Sequence, residues 1–183
     1  AIADSLRLLS DEAAAAAMPD TQVTVADKFL HTRGNYELHR FSTNILEPAQ
    51  AAFESALTTE SDSLVRATLL NNLGNVLAAL AQIRRDADLY GQSIASFEKA
   101  LELVSQDASP SAWAETQANL GTALQALGRQ EANAKLLNAA VDAYTAALLV
   151  YSRKETPEKW LLVMHQLGAA LHSCGLLLKS NRT

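Results

Sequence analysis

Residues 69–77 read LLNNLGNVL, residues 116–124 read TQANLGTAL, and residues 163–171 read VMHQLGAAL. The pairs Leu73-Gly74, Leu120-Gly121 and Leu167-Gly168 stand 47 residues apart. Pro110 and Pro157, Trp113 and Trp160, and Gly128 and Gly175 keep the same interval of 47. Ile94, Phe97, Ala100 and Leu101 return as Val141, Tyr144, Ala147 and Leu148. An earlier echo, Phe53, Ala56 and Leu57, precedes Phe97, Ala100 and Leu101 by 44 residues. So many matches in one register mean a repeated unit, which buries its apolar face against its neighbours.

Each unit reads as two helices. Ser109-Pro110 and Thr156-Pro157 mark helix starts, a hydroxyl cap followed by proline at the first turn, where its missing N–H costs nothing. Trp113, Gln117, Leu120 and Leu124 then follow at steps of three and four, the helical period. Gly128, and Gly175 by register, predict the stop, because glycine accepts the left-handed conformation past a helix end. A second helix is expected over about 132–151, with Leu137, Val141, Tyr144 and Leu148 on one stripe. The preceding pair is expected over about 62–81 and 87–104. Glycine inside a helix costs roughly 0.5–1 kcal/mol relative to alanine. Three such glycines in register predict one cause, close approach of the second helix, with Ala100 and Ala147 as its small residues.

Composition agrees. The 183 residues are 49% apolar but only 5% aromatic, with 7 glycines and 4 prolines. Alanine and leucine dominate, and these favour helices over sheets. The net charge is −5. No cluster of lysine and arginine offers a track for phosphates, so no nucleic-acid partner is expected. No uninterrupted run approaches the roughly 20 apolar residues of a membrane span, so no membrane is expected either. Cys174 is the single cysteine, and no intrachain disulfide can form. The cytoplasm is the expected compartment. The periplasm stays open if a leader has been removed from the start at Ala1.

The first-helix phrase, Leu73-Gly74 with Leu77, Leu120-Gly121 with Leu124 and Leu167-Gly168 with Leu171, resembles the tetratricopeptide family. So does the second-helix phrase: Ala49 with Phe53 and Ala56, Ser93 with Phe97 and Ala100, Ala140 with Tyr144 and Ala147. The likeness covers about 46–175. The period of 47 exceeds the family's usual 34. The family's first-helix tryptophan site holds Leu70, Gln117 and Met164, and Ser105 and Ser152 stand near its closing proline. The unit resembles a long-helix bacterial variant that carries Pro-x-x-Trp. The resemblance implies an all-α fold, a right-handed α-α superhelix of stacked antiparallel hairpins. Residues 1–45 fit the repeat poorly and are expected to be a degenerate N-terminal helical cap. They would form one domain with the repeats over 46–183.

The resemblance also implies a concave face lined by first helices and a protein-binding scaffold. Its expected partner-binding residues are Asn71, Asn72, Asn75, Asn119, Thr122, Gln125, His165, Gln166 and His172, with Ala78, Ala118 and Ala169 between them. Such amides and hydroxyls can pair with a peptide backbone; a merely solvated polar face is the alternative. A carboxylate-clamp role is disfavoured, because Glu115 and Asn119 stand where cations would be needed. The last first-helix is more apolar than its equivalent, Leu161-Leu162-Val163 replacing Ala114-Glu115-Thr116. With Leu176, Leu177 and Leu178 it reads either as a capping helix or as a self-assembly face. A third reading is a regulatory or sensor fragment of a longer protein.

Catalysis finds no support. His31, His39, His165 and His172 show no metalloprotease or bundle-type metal spacing. His165 and His172, seven apart, share a helix face, but groove-lining polar residues explain them better than a metal pair. Cys174 has no basic sequence neighbour to lower its pKa. Trp113 and Trp160 read as repeat packing rather than ligand stacking, and Arg84-Arg85 as a solvated turn. No phosphate loop or nucleophile elbow occurs. No enzyme, cofactor or metal is expected.

Overall fold

The computed structural model describes residues 42–180. The expected N-terminal cap over 1–45, with His31 and His39, lies almost wholly outside that range. A π-helical segment, Ser42–Leu46, leads into α1 (Glu47–Thr59). Then come α2 (Ser63–Arg84), α3 (Ala87–Leu103), α4 (Pro110–Gln130), α5 (Ala134–Ala147) and α6 (Pro157–Ser180). The described residues are all helix and connection, with no strand.

The starts of these helices follow from short polar side chains. Asp62 accepts hydrogen bonds from the amides of Leu64 and Val65. Asp86 accepts from Asp88 and Leu89, and Asn133 from Lys135 and Leu136. Each pairs two of the four amides that a helix start leaves bare. Proline opens α4 and α6 as expected. Their hydroxyl residues behave differently from the expectation, however. Ser109 makes no side-chain cap. The turns before α4 and α6 are instead held by Ser105 Oγ on the amide of Ala108 (3.1 Å) and Ser152 Oγ on that of Glu155 (3.0 Å).

Neither Gly128 nor Gly175 ends its helix; α4 runs to Gln130 and α6 to Ser180. Tertiary contact overrides the propensity. A Cβ on Gly128 would lie 3.0 Å from the Leu137 side chain, so the glycine admits α5. The left-handed residues after the first helices are Arg85 (φ 55°), at the end of α2, and Ala132 (φ 50°), beyond α4.

Helices α2 and α3 form one antiparallel pair, and α4 and α5 another. At Gly74 a Cβ would sit 2.6 Å from the Phe97 ring, and at Gly121 one would sit 2.8 Å from the Tyr144 ring. The rings pack closely against bare backbone, and Ser93 Oγ adds a 2.7 Å hydrogen bond to the carbonyl of Gly74. Phe97, Tyr144, Ala100 and Ala147 are sealed from solvent. The expectation of one shared cause fails at Gly168, where nothing lies within 4 Å of the Cβ position. Two of the three glycines receive a ring and the third does not.

The core is continuous from pair to pair. Ala114, Leu120, Leu124, Tyr144 and Ala147 pack with Phe97 on one side and with Val163 and Ala170 of α6 on the other. Ala81, Tyr90 and Leu127 join α2, α3 and α4 at the other end.

The three glycines should therefore respond differently to alanine. Gly74→Ala and Gly121→Ala force rings to move and should each cost about 1–3 kcal/mol, the usual range for overpacking. Gly168→Ala should stabilise the monomer by about 0.5–1 kcal/mol, since within one chain only helix propensity changes. Chemical denaturation of the three variants reads both signs.

Candidate functional site

The first helices of successive pairs lie side by side, α2 against α4 and α4 against α6. Their shared face carries the amides and hydroxyls that the sequence singles out. Asn119 Nδ2 donates to Asn71 Oδ1 at 3.0 Å, joining α4 to α2. Gln166 Nε2 donates to Thr122 Oγ1 at 3.2 Å, joining α6 to α4. Tyr144 Oη donates to Gln125 Oε1 at 3.0 Å and lies 3.2 Å from Thr122 Oγ1, joining α5 as well. Among the described residues no buried side-chain polar atom lacks a partner.

These bonds divide the nine candidates. Asn71 and Gln125 are buried, and each is spent on an internal bond. Their assignment to the groove is corrected: Asn71 sits in the seam between first helices, and Gln125 points at the second helix. Asn119, Thr122 and Gln166 are stitches between neighbouring first helices that still reach the surface. Asn75 is exposed and Asn72 half-buried. His165 and His172 are exposed and, at about 100° per residue, stand about 100–120° round α6 from Gln166. The nine therefore do not form one site. Asn72, Asn75, Asn119, Thr122 and Gln166 share a face, and the histidines stand away from it.

Charge around this face is sparse. Glu115 Oε2 and Lys159 Nζ lie 3.7 Å apart, both about half exposed. Arg84 pairs with Glu47, so this arginine is tied to α1 rather than standing in a merely solvated turn. Arg153 lies over the Trp160 ring at 5.9 Å, and the two line an open depression with Pro157 and Leu161. Trp113 packs against the core, as its repeat position implies. Cys174 Sγ lies 3.5 Å from Asn138 Oδ1. Among the described residues no group of three or more His, Cys, Asp or Glu side chains could hold a metal.

Sequence reading missed the role of Tyr144. Its position showed only as an aromatic match to Phe97, yet its hydroxyl organises Gln125 and Thr122. Burial pushes its pKa up, and the Thr122 bond offsets part of that. Tyr151 is pushed up to about 12 by burial and then by the charge of Glu115.

Two described helices, Ser63–Arg84 and the stretch Pro157–Leu177, are long and apolar enough to cross a membrane by length and composition. Polar residues such as Asn71-Asn72 in the first and His165-Gln166 in the second interrupt both, which is why no unbroken apolar run announces them. The first is half buried in this molecule, while only 11% of the second is. No family model, curated protein or solved structure matches this chain.

Two outcomes follow. Asn119→Ala leaves the buried Asn71 carbonyl oxygen bare and should cost about 1–3 kcal/mol, read as a lowered denaturation midpoint. Stability should also fall as pH rises from 10 towards 12. The unfolded chain releases the Tyr151 proton near 10 and the folded one near 12, so ionisation pulls towards the unfolded state. Tyr151→Phe should flatten that loss in urea titrations at pH 9, 10 and 11.

Proposed function

We propose that this chain is a repeat scaffold of the tetratricopeptide kind, its helix pairs curving as a right-handed superhelix. A protein or peptide partner would be received on the polar face of α2, α4 and α6, with no catalytic role. The carrying observation is the row of amides and hydroxyls that crosses three successive first helices. The stitches Asn119 and Gln166 hold the three first helices in place, so the face that carries Asn72 and Asn75 is formed before a ligand arrives. Asn72 and Asn75 on α2 offer amide donors and acceptors, and a peptide backbone needs both.

The chemistry of the face narrows the partner. Lysine and arginine are absent from the row, so a terminal carboxylate or phosphate would find no charge-assisted bond. A segment bound through its backbone and uncharged side chains suits the face better.

Panning a random-peptide display library on the folded protein provides ligands. Calorimetry with the best of them should show affinity falling about tenfold or more in Asn72→Ala/Asn75→Ala, since each lost bond is worth about 1 kcal/mol. The melting temperature should barely change, because both positions reach solvent. Undiminished affinity in the folded double variant sinks the groove reading.

A further inference from the structure

Helix α6 carries an apolar seam that the rest of the described chain leaves uncovered. Leu161, Met164 and Leu171 are exposed, and Gly168 and Gly175 lie on the same stripe. Leu171 is 53% exposed, whereas Leu124 and Leu77, at the same repeat position, are 7% and 2% exposed. Nothing lies within 4 Å of the Cβ positions of Gly168 and Gly175, although Gly121 and Gly128 meet side chains at 2.8 and 3.0 Å. The inner face of α6, Val163 and Ala170 with Trp160 and Leu167, is already packed on the core.

The stripe has the order of a coiled-coil seam. Positions 161, 164, 168, 171 and 175 alternate steps of three and four, the a and d sites of a heptad. It is also self-complementary in one arrangement. Run two copies of α6 antiparallel about a two-fold between residues 169 and 170. Leu171 of each copy then meets Gly168 of the other, and Met164 meets Gly175, a large side chain over bare backbone in each layer. The e positions on the flank are 158, 165, 172 and 179. In the same register the nearest flanking pairs are Glu158 with Lys179 and His165 with His172, each about two residues from level. The charged pair lies in the first and last turns of the helix. Neither the steric nor the charge match survives in a parallel pair, where each residue faces its own equivalent.

We propose that α6 is a dimerisation helix, docking antiparallel on α6 of a second copy of this chain. This stands independently of the groove reading, since the seam and the amide row occupy different faces. The interface is isologous and closes on two copies, so it yields a dimer and not a filament. His165 and His172 acquire a place as flanking residues of the dimer, away from the proposed groove.

Sedimentation velocity from about 1 to about 100 µM, a span that covers weak dimers, should show monomer passing to dimer. Leu171→Glu puts a carboxylate into the seam and should keep the chain monomeric throughout, with an unchanged circular-dichroism spectrum; Leu171 is exposed, so the monomer tolerates it. Glu158→Lys and Lys179→Glu should each weaken the dimer several-fold, and the double exchange should restore it. A wild-type monomer throughout hands the seam to some other helix, such as one presenting a ring to Gly168, and overturns the proposal. So does a dimer that survives Leu171→Glu, or a double exchange that fails to restore. Flotation of monomeric protein with phosphatidylcholine–phosphatidylglycerol vesicles would give the seam to a lipid surface, and that result overturns the dimer equally.

Discussion

An aromatic ring laid against a helix backbone that has no side chain is the contact on which this architecture depends. Phe97 on Gly74 and Tyr144 on Gly121 bring paired helices closer than any Cβ would permit. The glycine gives up about 0.5–1 kcal/mol of helix propensity. A buried ring with its full set of dispersion contacts recovers more than that. The same contact sets the register of each pair, since the ring fits over only one residue. Once the pairs are set, their outer surfaces meet. Trp113, Leu120 and Ala147 then become one core with Phe97 before them and Val163 after them.

Tyr144 differs from Phe97 by one oxygen, and that oxygen reorganises its surroundings. Its hydroxyl is too deeply buried to reach water, so Gln125 and Thr122 supply partners. Thr122 in turn accepts from Gln166 and donates to the carbonyl of Ala118 at 3.1 Å. A single threonine thus touches α4, α5 and α6. Around Phe97 there is no such demand, and the corresponding Asn75 and Ala78 are left for other uses. The polar face is therefore uneven: closed and cross-linked at the Thr122 end, more open near Asn75.

Much of this was legible in the chain. The interval of 47 located the helix pairs and the ring positions, because packing repeats wherever the residues that make it repeat. Helix extents near 62–81 and 87–104 came within a few residues for the same reason. The stops were misread at Gly128 and Gly175. Local propensity cannot distinguish a glycine that ends a helix from one that admits a neighbour, and Leu137 against Gly128 is information held by another helix. Asn71 and Gln125 were misplaced because neighbouring positions on a helix differ by about 100°, and the seam between first helices is narrower than that. Asp86 and Asn133, also in register, carry the second-helix caps and were overlooked, since polar residues at a junction look like ordinary loop. The meaning of Gly168 was not readable at all, because it depends on what stands opposite.

Contacts among the described helices run mostly between neighbours along the chain, α2 with α3, α3 with α4, α4 with α5 and α5 with α6. In such an array cooperativity is transmitted from one element to the next and has no central hub. Helix α4 is gripped by α3 and α5 along its length and by α2 and α6 at its sides, so it can open only if much of the array opens with it. Among the described elements α6 leans on α5 and α4, and α1 on α2 and the π-helical segment, so fraying begins at these outer helices. Local melting of one end would then leave the Gly121–Tyr144 pair standing, and the array would lose its elements in order rather than all at once.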